Sequence, residues 1–308
     1  MDIRGQDFLT LQDFSFEEIH YMLDIASDLK MMYLRGESPE ILKGKTLALI
    51  FEKSSTRTRV SFEVAMRQLG GYAIFLGAKD LQLGRGETIP DTARTLARYV
   101  DGIMARVYSH EDLIDLADFS QVPVINGLSD LFHPCQILAD LLTIKEKKKN
   151  FENLKLSYVA DGNNVCNSLL IGCSKLGIDV TVGCPENYEP LEDVIDLAKE
   201  NSKTFDSEVQ IVHDPQDAVL DADVVYTDTW VSMGLETESE ERMKVFPRFQ
   251  VNEELLMSAS KNVIVMHCLP AHRGHEITDD VMDGPHSVVW DQAENRLHAQ
   301  KAILTLLL

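Results

Sequence analysis

Cysteine is scarce and does not fall into pairs. There are five (Cys135, Cys166, Cys173, Cys184 and Cys268), and no two have CxxC spacing. An odd count without that spacing argues against a disulfide framework and gives a tetrahedral zinc knot little support. Basic residues are few as well: 29 Lys plus Arg stand against 50 Asp plus Glu, a formal charge of −21. So acidic a surface keeps a chain soluble and repels phosphate backbones and anionic membranes, so neither nucleic acid nor membrane is an expected partner. An anionic substrate would need a local basic pocket. No stretch reaches the ~18 consecutive apolar residues of a membrane-spanning helix. The first eleven residues carry Asp2, Arg4 and Asp7 and no apolar run of signal-peptide length, so the expected compartment is the cytosol. Internal repeats and low-complexity segments are missing too.

What is present is ordinary for a globular chain: 308 residues, 44% apolar and 26% charged. At roughly 150 residues per domain this predicts two domains. Strand and helix signals alternate nearly throughout. Ser15 followed by Glu18 is a capping box. It predicts a helix with Ile19, Met22, Leu23, Ala26 and Leu29 inward, ending before Gly36. Strands are expected at Thr46–Phe51, Tyr72–Leu76, Gly102–Val107 and Val122–Ile125, then a helix over Gln136–Lys147. After Lys149 the rhythm restarts, with strands at Leu156–Ala160, Val180–Cys184, Val209–His213, Val224–Thr227 and Val263–Met266 and a last helix over Ala293–Leu308. The runs are continuously apolar, which suits parallel strands covered on both faces. The predicted class is α/β, with two domains that each have a central parallel sheet flanked by helices.

Open α/β sheets bind ligands in the loops at their strand ends. The first such loop reads Lys53-Ser54-Ser55-Thr56-Arg57-Thr58-Arg59. Capping a helix needs one hydroxyl, not four. The surplus hydroxyls, fresh helix N–H groups and guanidinium make an anion cradle without a glycine-rich loop. Arg106, closing an apolar strand, is either a surface residue or a buried one needing an anion. His133-Pro134-Cys135-Gln136 opens a helix, with His133 and Gln136 nearly on one face; His133 is a cap or a ligand to a carbonyl. Asp161-Gly162-Asn163-Asn164 stands where a dinucleotide turn would, but lacks G-x-G-x-x-G, which disfavours a nicotinamide cofactor. Asn164 is left to bind a polar ligand. Asp228, at another strand end, caps a turn or pairs with a substrate ammonium. For His267-Cys268-Leu269-Pro270-Ala271-His272-Arg273 three readings stand. They are a thiol nucleophile with a His, a zinc site from His267, Cys268, His272 and His275, and a thiol with backbone carbonyls lining a small polar pocket. The last is preferred, because successive strand residues point to opposite faces and the His/Cys spacing fits no standard zinc motif.

Ser55-Thr56-Arg57-Thr58, His133-Pro134-Cys135-Gln136, Asp228 with Ser232-Met233-Gly234, and His267-Cys268-Leu269-Pro270 occur in this order. With them the chain closely resembles the aspartate/ornithine carbamoyltransferase family over essentially its whole length, and within it the ornithine branch. The resemblance implies that Ser55, Thr56, Arg57 and Thr58 hold the phosphate of carbamoyl phosphate, and that Arg106, His133 and Gln136 polarise its carbonyl. Cys268, Leu269 and Arg296 would complete the site, and Gln82 would reach a neighbouring subunit of a homotrimer or of a higher assembly of trimers. Asn164, Asp228, Ser232 and Met233 match ornithine-binding positions. Cys268, Arg106, His133 and Asp228 would carry the chemistry, yielding citrulline and phosphate within arginine metabolism, with no metal and no organic cofactor. The implied domains are 1–135, with 292–308 packing back on it, for carbamoyl phosphate, and 136–291 for ornithine. Aspartate as acceptor is disfavoured, since a dicarboxylate calls for basic groups rather than Asp228. A putrescine-specific relative and a non-catalytic phosphate-ligand binder are the remaining alternatives.

Overall fold

The Ser15 hydroxyl accepts the Glu18 N–H, and the Glu18 carboxylate accepts the Ser15 N–H at 2.8 Å. That reciprocal cap starts α1 (Phe16–Leu34), whose five predicted inward residues are all buried. In a computed structural model that describes residues 2–79, 81–82, 86–232 and 236–308, the chain forms two compact units. Unit 1 comprises residues 1–142 and 295–308; unit 2 comprises 143–294.

Unit 1 continues with β1 (Thr46–Phe51), α2 (Thr56–Gln68), β2 (Tyr72–Gly77), α3 (Ile89–Leu96), β3 (Gly102–Arg106), α4 (His110–Phe119), β4 (Val124–Leu128) and the start of α5 (Pro134–Lys148). Its sheet runs β2-β1-β3-β4, every pair parallel. Ala48, Ile50, Ile103, Ala105 and Val124 form one packed face with Leu113 and Leu116 of α4.

Unit 2 holds β5 (Lys155–Val159), α6 (Asn164–Lys175), β6 (Asp179–Gly183), α7 (Glu192–Ser202), β7 (Val209–Val212), α8 (Pro215–Val219) and β8 (Val224–Thr227). These are followed by α9 (Ser239–Val245), α10 (Glu253–Leu256), β9 (Ile264–His267), α11 (Asp279–Met282) and the first turns of α12 (Val289–Leu307). Its strand order is β7-β6-β5-β8-β9, again all parallel. Val159, Val225 and Val265 pack under Trp230, Phe246 and Phe249.

In each sheet the order reverses once, between β1 and β3 and between β5 and β8. At such a switch point the connections leave in opposite directions and open a crevice at the strand carboxyl ends. Several bounds differ from the sequence expectation, with α12 starting at Val289 rather than Ala293 and α5 at Pro134 rather than Gln136. The fourth strand is Val124–Leu128 rather than Val122–Ile125, so Asn126 and Gly127 lie in the sheet. The Asn126 amide there donates to Leu9 and Phe132 carbonyls, a structural duty. The division between units falls at 142/143 and 294/295, where 135/136 and 291/292 were expected. The early turns of α5, with the wholly buried Ile137, Leu138, Leu141 and Leu142, fall in unit 1.

Among the described residues no helix is long and apolar enough to cross a membrane.

Candidate active site

In unit 1, the switch-point strands β1 and β3 deliver the loop at 55–58 and Arg106. Ser55 is the N-cap of α2, its hydroxyl accepting the Thr58 N–H at 3.3 Å. The side chains of Thr56 and Arg57 then lie on the first helical turn, beside N–H groups that have no intrahelical acceptor and favour an anion. Arg106 is only 6% exposed at the carboxyl end of β3. The β3–β4 register shifts between Ala105 and Arg106, an irregularity of the kind that re-aims a side chain at a sheet rim. Thr58 is buried and accepts a bond from Arg296 Nη2 at 3.2 Å, while Arg296 Nη1 donates to Gln136 Oε1 at 2.6 Å. Gln136 in turn donates to buried Asp140 at 2.8 Å. Three guanidiniums thus gather in one unit of a strongly acidic chain, the basic pocket that an anionic substrate requires.

Two members of the predicted cradle lie over aromatic rings. Arg59 pairs with Glu63 at 2.8 Å and lies 3.7 Å over the Phe75 ring. The Lys53 ammonium sits 4.4 Å over Tyr108. Gln82 is exposed.

His133 is buried, and its pKa lies well below the ordinary imidazole value. Burial is the main cause, helped by the positive fields of Arg296, Arg106 and Arg57. A neutral ring among three cations still has an N–H to offer a carbonyl oxygen. The linked stability effect has a definite sign. Above the ordinary pKa of ~6.5 neither folded nor unfolded chain is protonated at this ring. Below it the unfolded chain takes a proton that the folded chain refuses, so stability falls with falling pH until His133 itself protonates. Denaturant midpoints measured between pH 5 and 8 are expected to fall on the acid side, and His133→Gln is expected to flatten that part of the slope.

In unit 2 the switch-point strands β5 and β8 deliver Asn163 and Asp228. Asp228 is 5% exposed. Its Oδ1 accepts the Thr229 N–H at 2.7 Å and the Cys268 thiol at 3.0 Å, and its Oδ2 accepts the Asn163 amide at 2.8 Å. Asn163 also donates to Ser232 Oγ at 3.3 Å. Asn164 is the first residue of α6, and half-buried. Met233 lies outside the described residues. Gly162 lets this loop press on its neighbour: a Cβ there would lie 2.2 Å from the Pro190 nitrogen. Behind it, Asp161 accepts Arg242 Nη1 at 2.7 Å, and the same nitrogen donates to the Trp230 carbonyl at 2.9 Å. Burial pushes the Asp161 carboxyl up to about 6 against the pull of Arg242.

Cys268 follows β9 on a segment pinned from below. His267 Nε2 donates to Glu276 Oε1 at 3.0 Å, and its Nδ1 accepts the Leu269 N–H at 2.9 Å. Glu276 also accepts the His272 N–H at 2.6 Å. Burial works upward on that carboxyl, but the bonds from His267, His272 and its own backbone outweigh it and hold the pKa low. Leu269 adopts φ +61, a left-handed conformation that non-glycine residues enter mainly where surroundings enforce it. Asp228, His267 and Cys268 bring potential metal-ligand atoms within 4.8 Å of one another. Both His267 nitrogens are engaged, however, and His272 stacks on His275 rather than joining the group. The donor set therefore suits a thiol and carboxylate lining a polar pocket. The thiol donates to the Asp228 carboxylate at 3.0 Å, and both His267 ring nitrogens are engaged elsewhere, which favours the polar-pocket reading over the nucleophile reading.

Sequence reasoning passed over Asn163, Asp140, Arg242 and Glu276. Asp161 and Asn163 were visible as part of a strand-end turn. Asp140, Arg242 and Glu276 carried no local signal, because each meets its partner only through the tertiary fold.

Guanidiniums at the switch point of one parallel sheet, and a carboxylate at that of another, mark a two-unit α/β enzyme. The chain belongs to the aspartate/ornithine carbamoyltransferase family. Residues 6–146 match "Aspartate/ornithine carbamoyltransferase, carbamoyl-P binding domain" and residues 152–307 match "Aspartate/ornithine carbamoyltransferase, Asp/Orn binding domain". The chain is 59% identical over 308 residues to an ornithine carbamoyltransferase of Pyrococcus horikoshii, covering all of this chain and 97% of that one. It is 58% identical to an "Ornithine carbamoyltransferase, anabolic" of Pyrococcus furiosus, covering all of this chain and 98% of that one. The solved Pyrococcus furiosus ornithine carbamoyltransferase superposes with a TM-score of 0.97 at 59% identity, covering all of this chain and 98% of that chain. The more distant ornithine transcarbamoylase of Giardia lamblia superposes at 0.89 with 37% identity, covering 98% of this chain and 97% of that one.

Proposed function

We propose that this chain transfers the carbamoyl group of carbamoyl phosphate to the side-chain amine of L-ornithine, giving L-citrulline and phosphate. The observation that carries the reading is the Asp228–Cys268 pair: a carboxylate whose contacts are an amide, a backbone N–H and a thiol suits a cationic acceptor and disfavours aspartate.

Ornithine's side-chain amine has a lysine-like pKa near ~10.4 and is mostly protonated, hence non-nucleophilic, at neutral pH. Asp228 and the Cys268 thiol position this amine as it sheds a proton. The neutral nitrogen then attacks the carbamoyl carbon. Arg106, the neutral His133 and Thr58 stabilise the oxyanion that develops. The carbon–oxygen bond to phosphate breaks, and the second amine proton leaves with the products. Phosphate departs held by Ser55, Thr56 and Arg57, with Arg296 setting Gln136 and Thr58 in place. Leu269 also serves carbamoyl phosphate, while Asn164, Ser232 and Met233 hold the amino-acid end. Gln82, exposed on unit 1, reaches the site of a neighbouring subunit in a homotrimer or in a larger assembly of trimers. The setting is the cytoplasm.

The test is citrulline formation from carbamoyl phosphate and ornithine, with putrescine and aspartate in parallel and the particle mass measured by light scattering. Preference for ornithine and a mass of three chains or a multiple of three are expected. Preference for putrescine would keep the phosphate chemistry and overturn the ornithine assignment. No turnover with any amine would make the protein a ligand binder.

A further inference from the structure

We infer that Asn163 is a positioning and specificity-determining residue, which through one side-chain amide sets both the acceptor for the amine end and the donor for the carboxylate end of the amino-acid substrate. This rests on the functional reading above.

The amide orientation is forced. Asn163 Oδ1 accepts the N–H groups of Val165 and Cys166, at 2.9 and 3.1 Å, and lies 3.2 Å from the Tyr158 hydroxyl. A flipped amide would set N–H groups against N–H groups, so Nδ2 must face Asp228 and Ser232. Both of its hydrogens are then used there, at 2.8 Å to Asp228 Oδ2 and 3.3 Å to Ser232 Oγ.

Each bond has a directional consequence. A carboxylate has about four in-plane acceptor positions. Among the described residues three on Asp228 are taken, by Thr229, Cys268 and Asn163. The fourth, on Oδ2, is the position left for a substrate N–H, and the bond from Asn163 fixes its direction. Ser232 receives the other Asn163 hydrogen on a lone pair, which turns its own O–H away from Asn163. A hydroxyl that donates suits the α-carboxylate of an amino acid, and a diamine has no acceptor to take that bond. Asn163 thereby favours a bipolar amine over putrescine. Its anchorage as N-cap of the twelve-residue α6 makes this polarity rigid.

Two variants separate positioning from capping. Asn163→Ser and Asn163→Asp both keep an oxygen that can cap α6, and both remove the amide donor. Either is expected to lower kcat/KM for ornithine by about 30- to 100-fold, the loss of two bonds to polar partners in a half-buried site. KM for carbamoyl phosphate should stay within about twofold, and the preference for ornithine over putrescine should shrink at least tenfold. Unchanged ornithine kinetics in a folded variant would overturn the inference. So would equal losses for both substrates accompanied by lowered thermal stability, which would mean capping alone. A parent enzyme inactive with ornithine is a separate result: it overturns the functional reading itself, and this inference with it.

Discussion

Arg106→Met is expected to lower kcat/KM for carbamoyl phosphate by about 10³-fold with little change in the folding midpoint. Removing one pre-aimed donor from an oxyanion typically costs about 10²–10³ in rate, and Arg106 acts where water is largely excluded, at 6% exposure. Its guanidinium also helps depress the pKa of His133, together with burial, Arg296 and Arg57. The substitution should therefore remove one donor from the carbonyl and let the His133 pKa rise toward its ordinary value. Methionine fills similar volume without charge and relieves cationic repulsion in the empty site, so stability should hold. Steady-state kinetics with denaturation curves checks this; a loss confined to ornithine KM would remove Arg106 from the carbonyl.

Asp228→Asn is expected to lower kcat/KM for ornithine by about 10³-fold while leaving carbamoyl phosphate binding within a few fold. The carboxylate accepts three bonds, from Thr229, Cys268 and Asn163. An asparagine oxygen can take two of them, but its NH₂ must then face a third donor, whichever way it lies. The variant loses the charge that attracts an ammonium and gains a repulsive contact beside Asn163. Losses of about 10²–10⁴ are usual when a group managing a proton in the transition state is removed. Calorimetric titration with a non-reactive amino acid and with phosphate would separate the two substrates. Equal weakening of both would mean that the site had collapsed rather than lost one contact.

Much of this site was legible because strand ends are punctuated in the sequence. Six hydroxyl and guanidinium residues in a row after an apolar strand exceed what a cap needs, and Ser55, Arg57 and Thr58 do stand at the α2 N-terminus. Arg59 pairs instead with Glu63 and lies over the Phe75 ring; linear order says nothing about which helix face a long side chain takes. Sequence patterning ends β4 at Ile125 because Asn and Gly are poor strand residues. Pairing with β3 carries the strand on to Leu128, since a paired backbone outweighs weak local preference. The resemblance to a family supplied Arg296, which has no signal of its own in the last helix. Its bonds to Thr58 and Gln136 span 238 and 160 residues.

The sequence by itself determined the class of the molecule. Continuous apolar runs alternating with amphipathic ones require parallel strands covered by helices, and a charge of −21 requires that basic residues be collected locally before an anion can bind. Only the tertiary structure decided which polar residues work together. Asp228 becomes a directional acceptor through Asn163, 65 residues earlier in the chain, and Cys268, 40 residues later. Hydrogen bonds act over about 3 Å, so partners this remote in sequence meet only after the sheet order has placed β5, β8 and β9 side by side.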